Sequence, residues 1–205
     1  MLFNFKDIPS KHLAIAAAIA FFMLLTRGSH VLTHVALPDA SLALLLIGGL
    51  YLRKAGWLAL FVVLATAIDF SAAAIDSLQA FCLTVGYWGM LPTYAAMWLA
   101  GAWLGKQANG LDAVKFSLAA LVSTLVAFVI STQTYYLFSG RFPNHGLVET
   151  MQYGWNYLPS YLGYTAMYLV GFWALAKASI KFNVVKSPTS HLAYGIVRRS
   201  FNAIL

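Results

Sequence analysis

Charged residues are scarce in this chain. Only 9% of its 205 residues are Asp, Glu, Lys or Arg, whereas 61% are hydrophobic. A soluble domain carries about 25% charged residues. A chain of this length cannot hide the shortage in a large core, because it must still cover its own surface with polar groups. The composition therefore excludes an ordinary soluble domain and predicts an all-α integral membrane protein.

Acidic residues and cysteines are also few. The chain holds 6 Asp and Glu against 13 Lys and Arg, a formal net charge of +7, and a single cysteine, Cys82. The basic residues are scattered between apolar runs, so they indicate membrane topology and not a nucleic-acid partner. One cysteine excludes an internal disulfide. The sequence also lacks HExxH, CxxC, Walker A and GxSxG motifs, which leaves zinc-peptidase, NTPase and hydrolase functions without support.

Long apolar runs predict six transmembrane helices, because a spanning helix needs about 20 predominantly apolar residues. The predicted helices cover residues 13–27, 38–52, 56–75, 78–104, 111–138 and 157–178. Residues 179–205 are expected to form a cytoplasmic tail. Pro92 predicts a kink or a break in the fourth helix. We expect one transmembrane domain.

The distribution of Lys and Arg predicts the orientation of these helices. If the N-terminus is cytoplasmic, the inner segments hold eleven basic residues: Lys6, Lys11, Arg53, Lys54, Lys106, Lys115, Lys177, Lys181, Lys186, Arg198 and Arg199. The outer segments hold two, Arg27 and Arg141. This positive-inside asymmetry predicts that both termini lie in the cytoplasm, and it requires an even number of helices.

Polar and aromatic residues converge on the outer end of the predicted bundle. They are Arg27, His30, His34, Asp69, Asp76, Cys82, Tyr87, Trp88, Asn144, His145, Glu149, Tyr153, Trp155, Asn156 and Tyr157. Such a concentration at one end predicts a pocket that opens to the outside of the cell.

Asp69 lies inside an apolar run, roughly 20 Å from the inner end of its helix. A carboxylate at such a depth costs about 2.5–3.5 kcal/mol on insertion scales, so it must face a partner or a wet cavity. Two interpretations follow. Asp69 either lines a binding site or joins helices through a hydrogen bond to a neighbouring Ser or Tyr.

Cys82 is predicted near the outer start of the fourth helix, where the helix dipole favours a thiolate. Thiolate and imidazole are ligands for first-row transition metals, so Cys82 and His30 together could engage a metal. The alternative for Cys82 is a small apolar filler. His30 and His34 have i, i+4 spacing, and they are either ligands or interfacial residues of a short loop.

The first helix carries small residues four apart, in the pairs Ala14/Ala18 and Ala16/Ala20. Such a face allows close approach of another helix. That helix belongs either to a partner subunit or to the same bundle.

These features together resemble the substrate-binding S-components of energy-coupling-factor (ECF) vitamin transporters. More specifically, the chain is similar to the BtuM family of cobalamin (vitamin B12) transporters. The resemblance rests on Thr26-Arg-Gly-Ser-His30 after the first helix, on Asp69, and on Cys82 with Tyr87. It implies an S-component-like bundle in the bacterial cytoplasmic (inner) membrane that takes up cobalamin.

The resemblance also implies roles for individual residues. Cys82 would be an axial ligand to the cobalt of bound corrinoid and would assist decyanation of cyanocobalamin. The pocket would be lined by His30, Asp69, Tyr87, Arg27, His34, Trp88 and Tyr153, with His30 as a further candidate metal ligand. The alanine pairs of the first helix would dock onto an ECF coupling subunit and its ATPases.

Three other functions remain open from the residues alone. The chain could be an S-component-like transporter for another vitamin or for a metal ion, although residues 1–11 lack the His-rich segment expected of a bare-metal transporter. It could be a membrane-embedded enzyme that uses Asp69 or Cys82. It could also be a structural subunit whose polar residues only pack.

Overall fold

A computed structural model describes residues 9–27, 37–77, 79–107, 112–142 and 152–185. All regular structure within these ranges is helical. The α-helices are α1 (Ser10–Arg27), α2 (Ser41–Leu52), α3 (Ala55–Ile75), α4 (Met90–Leu104), α5 (Ala113–Phe138) and α6 (Leu158–Val185). Three short 3₁₀ segments lie between them: Gln79–Cys82, Val85–Gly89 and Gly154–Tyr157. His30, His34, His145 and residues 186–205 lie outside the described residues, as does the side chain of Cys82.

Three of the helices, α1, α3 and α5, are long and apolar enough to cross a membrane, and α2 is a shorter apolar helix. Large apolar side chains on the outside of the bundle are exposed, among them Val63, Val122 and Trp173. Water would disfavour such a surface, whereas lipid solvates it. The prediction of an all-helical chain with membrane-spanning helices is thereby confirmed. The six-span count and the orientation stay predictions.

Helix α2 is the centre of the bundle. Most of its residues are buried, and it contacts α1, α3, α4 and α6. Its sequence, Ser41-Leu-Ala-Leu-Leu-Leu-Ile-Gly-Gly-Leu-Tyr-Leu52, is apolar on every face, as expected of a helix that is surrounded by others. The deepest part of the core joins α2 to Phe61 of α3 and Met97 of α4, which are both fully buried.

Helices α2 and α4 cross at glycines. A Cβ added to Gly49 would collide with the backbone carbonyl of Trp98, and one added to Gly101 would collide with that of Leu46. One turn further along, a Cβ added to Gly105 would lie 2.5 Å from the carbonyl oxygen of Leu50. The two backbones touch because no side chain stands between them, which is the geometry that small residues permit between membrane helices.

Two aspartates fix the starts of α2 and α5. Asp39 Oδ1 accepts hydrogen bonds from the Ser41 N–H at 2.9 Å and from the Ser41 hydroxyl at 2.6 Å. Asp112 Oδ1 accepts from the Val114 N–H at 3.0 Å. Each carboxylate satisfies a helix N–H that has no acceptor inside its own helix.

The structure differs from the predicted fourth helix over residues 78–104, in which a kink or break was expected at Pro92. The chain instead forms the 3₁₀ segments Gln79–Cys82 and Val85–Gly89, and α4 begins only at Met90. Pro92 therefore lies in the first turn of α4, where its missing N–H has no helical acceptor to lose, and it does not kink a helix interior. Because Cys82 ends a 3₁₀ segment, the expected thiolate stabilisation by the dipole of a long helix does not apply to it.

The predicted end of the last helix at residue 178 is also too early, because α6 continues to Val185. The first residues of the expected tail therefore extend the helix. On α1 the two alanine pairs differ. Ala14 and Ala18 are exposed, whereas Ala16 is buried and Ala20 packs against the core.

Candidate functional site

A charged network joins the ends of four helices at one end of the bundle. Its centre is Arg27, the last residue of α1, whose side chain is only 11% exposed. The guanidinium forms a bidentate pair with Asp69 of α3, in which Nε donates to Oδ1 and Nη2 donates to Oδ2, both at 2.5 Å. Asp69 is therefore the acceptor of a planar two-bond contact, the geometry that makes Arg–carboxylate pairs strong.

The remaining guanidinium nitrogen of Arg27 contacts three further groups. The two N–H groups of Nη1 are shared among three acceptors: Asp39 Oδ2 at 2.9 Å, Ser41 Oγ at 3.2 Å and the Tyr94 hydroxyl at 2.5 Å. The guanidinium carbon also lies 5.8 Å from the centre of the Tyr94 ring, within cation–π range. Arg27 thus ties α1 to the start of α2, to α3 and to α4.

Tyr87 extends the network through Asp69. Its hydroxyl donates to Asp69 Oδ2 at 2.8 Å, and its ring meets that of Phe70 edge to face. A phenolic hydroxyl is protonated at physiological pH, so Tyr87 is a donor to the carboxylate.

The network carries one positive and two negative charges. Asp69 is 19% exposed and Asp39 is 48% exposed, so the two carboxylates stand in different surroundings. The pair with Asp69 is the buried one, and removing one partner of a buried pair costs about 3–5 kcal/mol. Asp39 reaches solvent, where an ion pair contributes at most about 1 kcal/mol.

A groove of about 380 Å³ lies beside the network. Its walls are mostly apolar and aromatic: Val62, Thr66, Phe70, Leu83, Thr84, Tyr87, Trp88, Met90, Leu91 and Tyr94. Tyr87 and Tyr94 belong both to the groove and to the charged network. The groove is in the lower part of the range of about 300–1,000 Å³ that small-molecule pockets span.

The segment that carries Cys82 borders this groove. Cys82 ends the 3₁₀ segment Gln79–Cys82, and the next two residues, Leu83 and Thr84, line the groove. Thr84 precedes the segment Val85–Gly89, yet its hydroxyl does not cap that segment and has no hydrogen-bond partner among the residues that the structure describes. On the other side of Cys82, the guanidinium of Arg141 stacks 3.6 Å from the centre of the Phe81 ring.

Glycines bring the segment Val85–Gly89 against α5. A Cβ at Gly86 would lie 2.7 Å from the carbonyl oxygen of Thr134, and one at Gly89 would collide with the Thr134 side chain. This close approach fixes Tyr87 and Trp88 between α3 and α5. The segment that carries Tyr87 and Trp88 is thereby packed against α5.

The structure places some of the predicted site residues together and others apart. Arg27, Asp69 and Tyr87 form one hydrogen-bonded network, and Trp88 lines the groove with a 71% exposed side chain. Tyr153 precedes the segment Gly154–Tyr157, is 59% exposed and does not line the groove. Asp69 accepts a hydrogen bond from a tyrosine, Tyr87, as its helix-joining interpretation expects, and it also pairs with Arg27, which that interpretation did not include.

Asp39, Ser41 and Tyr94 were not among the predicted site residues. A signal existed for the first two, because Pro38-Asp-Ala-Ser41 at the start of an apolar run is typical of a helix start. An arginine and an aspartate predicted at the same end of a bundle, such as Arg27 and Asp69, should also be expected to pair. Tyr94 gave no signal, since an aromatic residue inside an apolar helix is typical of a core.

Among the described residues, no group of three or more His, Cys, Asp or Glu side chains is placed to hold a metal ion. No protein-family model matches the chain, and a search of curated proteins finds no relative.

Proposed function

We propose that this chain is a membrane-embedded binding and uptake protein for cobalamin in the bacterial inner membrane. In this proposal six helices cross the membrane, both termini lie in the cytoplasm, and the groove opens to the outside. The positive-inside distribution of Lys and Arg supports the orientation. The sequence resemblance to cobalamin transporters supports the substrate.

The observation that carries the proposal is the course of the chain along the groove. Leu83, Thr84 and Tyr87 line it, and Cys82 directly precedes them. A ligand in the groove therefore lies against the segment that holds the only cysteine of the chain. Cobalamin has a flat ring system for aromatic walls, amide groups for hydrogen bonds, and a metal that accepts a thiolate.

The size of the groove limits how cobalamin binds. A corrinoid is larger than the small molecules that pockets of a few hundred Å³ enclose. The groove accordingly takes one edge of the corrin ring, and the remainder of the ligand extends past Trp88 toward solvent. The Thr84 hydroxyl, which has no hydrogen-bond partner within the described part of the chain, is a candidate partner for an amide of that edge.

The chemistry of Cys82 in this proposal is a ligand exchange. The thiolate donates an electron pair to cobalt, and cobalt in turn favours the deprotonated sulfur. In cyanocobalamin the cyanide then leaves with the electron pair of the Co–C bond, and the proton released by the Cys82 thiol converts it to hydrogen cyanide. Cobalt remains Co(III), so the step needs neither an oxidant nor a reductant.

Two features of α1 and α3 bear on the other open functions. Ala14 and Ala18 form an exposed small-residue pair, which supports docking of an ECF coupling subunit on that face of α1. Asp69 is held by Arg27 and Tyr87, so its carboxylate is not available as a general base. A membrane enzyme based on Asp69 therefore receives no support.

The test is the visible absorption spectrum of the detergent-purified protein after incubation with cyanocobalamin, compared with that of Cys82→Ala. We expect bound corrinoid with a changed spectrum in the wild type and a spectrum like that of the free ligand in the variant. Binding with the same unchanged spectrum in both proteins would remove Cys82 from the chemistry. Absence of bound corrinoid would refute the proposed substrate.

A further inference from the structure

Two tyrosines that line the groove, Tyr87 and Tyr94, are also hydrogen-bonded to the charged network. The Tyr94 hydroxyl accepts a hydrogen bond from Arg27, and the Tyr87 hydroxyl donates one to Asp69. Both tyrosine rings line the groove. The position of each ring therefore depends on a polar contact that the ligand itself does not touch.

Arg27 is not itself a wall of the groove. Nε and Nη2 are engaged with Asp69, and Nη1 contacts Asp39, Ser41 and Tyr94. A guanidinium that is only 11% exposed and has contacts through all three nitrogens has little left to offer a ligand. Its influence on the groove has to pass through the residues that it holds.

We infer that Arg27 is a positioning residue that sets the distance between Tyr87 and Tyr94, acting directly on Tyr94 and through Asp69 on Tyr87. The nature of the ligand in this inference rests on the proposed function, but the positioning does not. The inference replaces the sequence-based expectation that Arg27 binds the substrate directly.

The geometry makes the guanidinium specifically suited to this role. Its planar fork holds both oxygens of Asp69, and this fixes the carboxylate plane that receives the Tyr87 hydroxyl. A lysine ammonium supplies the charge without the fork. Arg27→Lys should therefore preserve folding while loosening Tyr87, whereas Arg27→Gln removes both the charge and the fork.

The first measurement does not use a ligand. Protein labelled with ¹³Cζ-tyrosine is examined by NMR in detergent, and the signals of Tyr87 and Tyr94 are assigned by Tyr87→Phe and Tyr94→Phe. We expect Arg27→Lys and Arg27→Gln to shift both signals, although Arg27 makes no direct contact with Tyr87. An unmoved Tyr87 signal in both variants would overturn the inference.

Arg53 offers a matched control at the opposite end of α2. Its side chain also joins two helices, because it donates to the carbonyls of Leu50 at the end of α2 and of Gly105 at the end of α4. Arg53→Gln should lower the unfolding temperature and leave the Tyr87 and Tyr94 signals in place. Equal shifts in Arg53→Gln and Arg27→Gln would mean that general loosening moves the tyrosines, which would also overturn the inference.

The second measurement is the affinity for cyanocobalamin. We expect Arg27→Lys to bind about tenfold more weakly than wild type while its cobalt–thiolate spectrum is retained, because the walls move and Cys82 does not. Arg53→Gln should bind as wild type does. If the tyrosine signals shift as expected but even the wild type binds no corrinoid, positioning is supported and the proposed substrate fails.

If Arg27→Gln does not fold, Asp69→Asn provides a second test of the same inference. The amide keeps an acceptor oxygen for one neighbour but cannot accept from Arg27 and Tyr87 with two equivalent oxygens. The Tyr87 signal should therefore shift more than the Tyr94 signal, which retains its direct contact with Arg27. A shift of Tyr94 alone would contradict the transmission through Asp69.

Discussion

Arg27 and Asp69 place a full charge pair inside an apolar bundle, and the pair is tolerated because almost every donor and acceptor is used. The guanidinium faces Asp69 on one side and Asp39, Ser41 and Tyr94 on the other. A buried charge that loses its partner is expensive, whereas an exposed one rehydrates. The two carboxylates around Arg27 should therefore differ strongly in their contribution to stability.

At this scale we expect Asp69→Ala to lower the free energy of unfolding by about 3–5 kcal/mol, because Arg27 is left without its buried partner. Asp39→Ala should cost only about 1–2 kcal/mol, the loss of an exposed ion pair and of the acceptor at the start of α2. Equilibrium unfolding by sodium dodecyl sulfate, followed by tryptophan fluorescence, measures both values.

The double variant Arg27→Leu with Asp69→Ala is the control for this prediction. Removal of both charges leaves nothing unpaired at the centre of the network, so it should be less destabilising than Asp69→Ala alone. A larger effect of Asp39→Ala than of Asp69→Ala would contradict the assignment of Asp69 as the buried partner.

At the scale of elements, the bundle depends on the crossing of α2 and α4. Gly49 and Gly101 let the two backbones touch, and Arg53 then donates to carbonyls at the ends of both helices. The same device recurs where Gly86 and Gly89 press the segment Val85–Gly89 against α5. The glycines at these contacts therefore determine how closely the neighbouring elements approach each other. At the contact with α5, they also determine the position of the segment that carries Tyr87.

Gly101→Ala is expected to lower the free energy of unfolding by about 1–3 kcal/mol, because its methyl group meets the carbonyl of Leu46 and forces α2 and α4 apart. Gly171→Ala on α6 is the matched control. A methyl group there meets nothing within 4 Å, and alanine favours a helix over glycine by up to about 1 kcal/mol. The same unfolding assay compares the two, and equal stability would contradict the close crossing.

At the scale of the whole molecule, the outer surface of the bundle is apolar, and the two ends of the bundle differ because the polar network lies at only one of them. Basic residues without a network, such as Lys54 and Lys106, follow α2 and α4 at the end where Arg53 lies. Arg27, Asp39 and Asp69 lie at the other. The orientation of these ends in the membrane is set by the charge distribution and is directly measurable.

We expect Ser77→Cys to react with a membrane-impermeant maleimide in intact cells, and Lys54→Cys to react only after the cells are opened. Both substitutions are made in a Cys82→Ser background, so each protein has one thiol, and both positions are exposed. The reverse pattern of labelling would invert the orientation, and labelling of both positions from outside would exclude a spanning bundle.

The amino-acid sequence by itself determined that this chain is helical and solvated by lipid. The length of an apolar run does not depend on what the helix contacts. The starts and ends of α1, α3 and α5 therefore lie close to those of the predicted helices 13–27, 56–75 and 111–138. It also identified Arg27, Asp69 and Tyr87 as candidate site residues, because polar groups in an apolar segment are costly and need a partner or a wet cavity.

Only the tertiary structure decided how those residues pair. Asp39 and Asp69 are far apart in sequence, and the bundle brings both onto one guanidinium. The close approach of Gly86 and Gly89 to Thr134 of α5 is likewise a contact between segments that are distant in sequence. Hydropathy indicates which segments are surrounded by lipid. The contacts between segments depend on how the helices cross, and the apolar pattern does not encode these crossings.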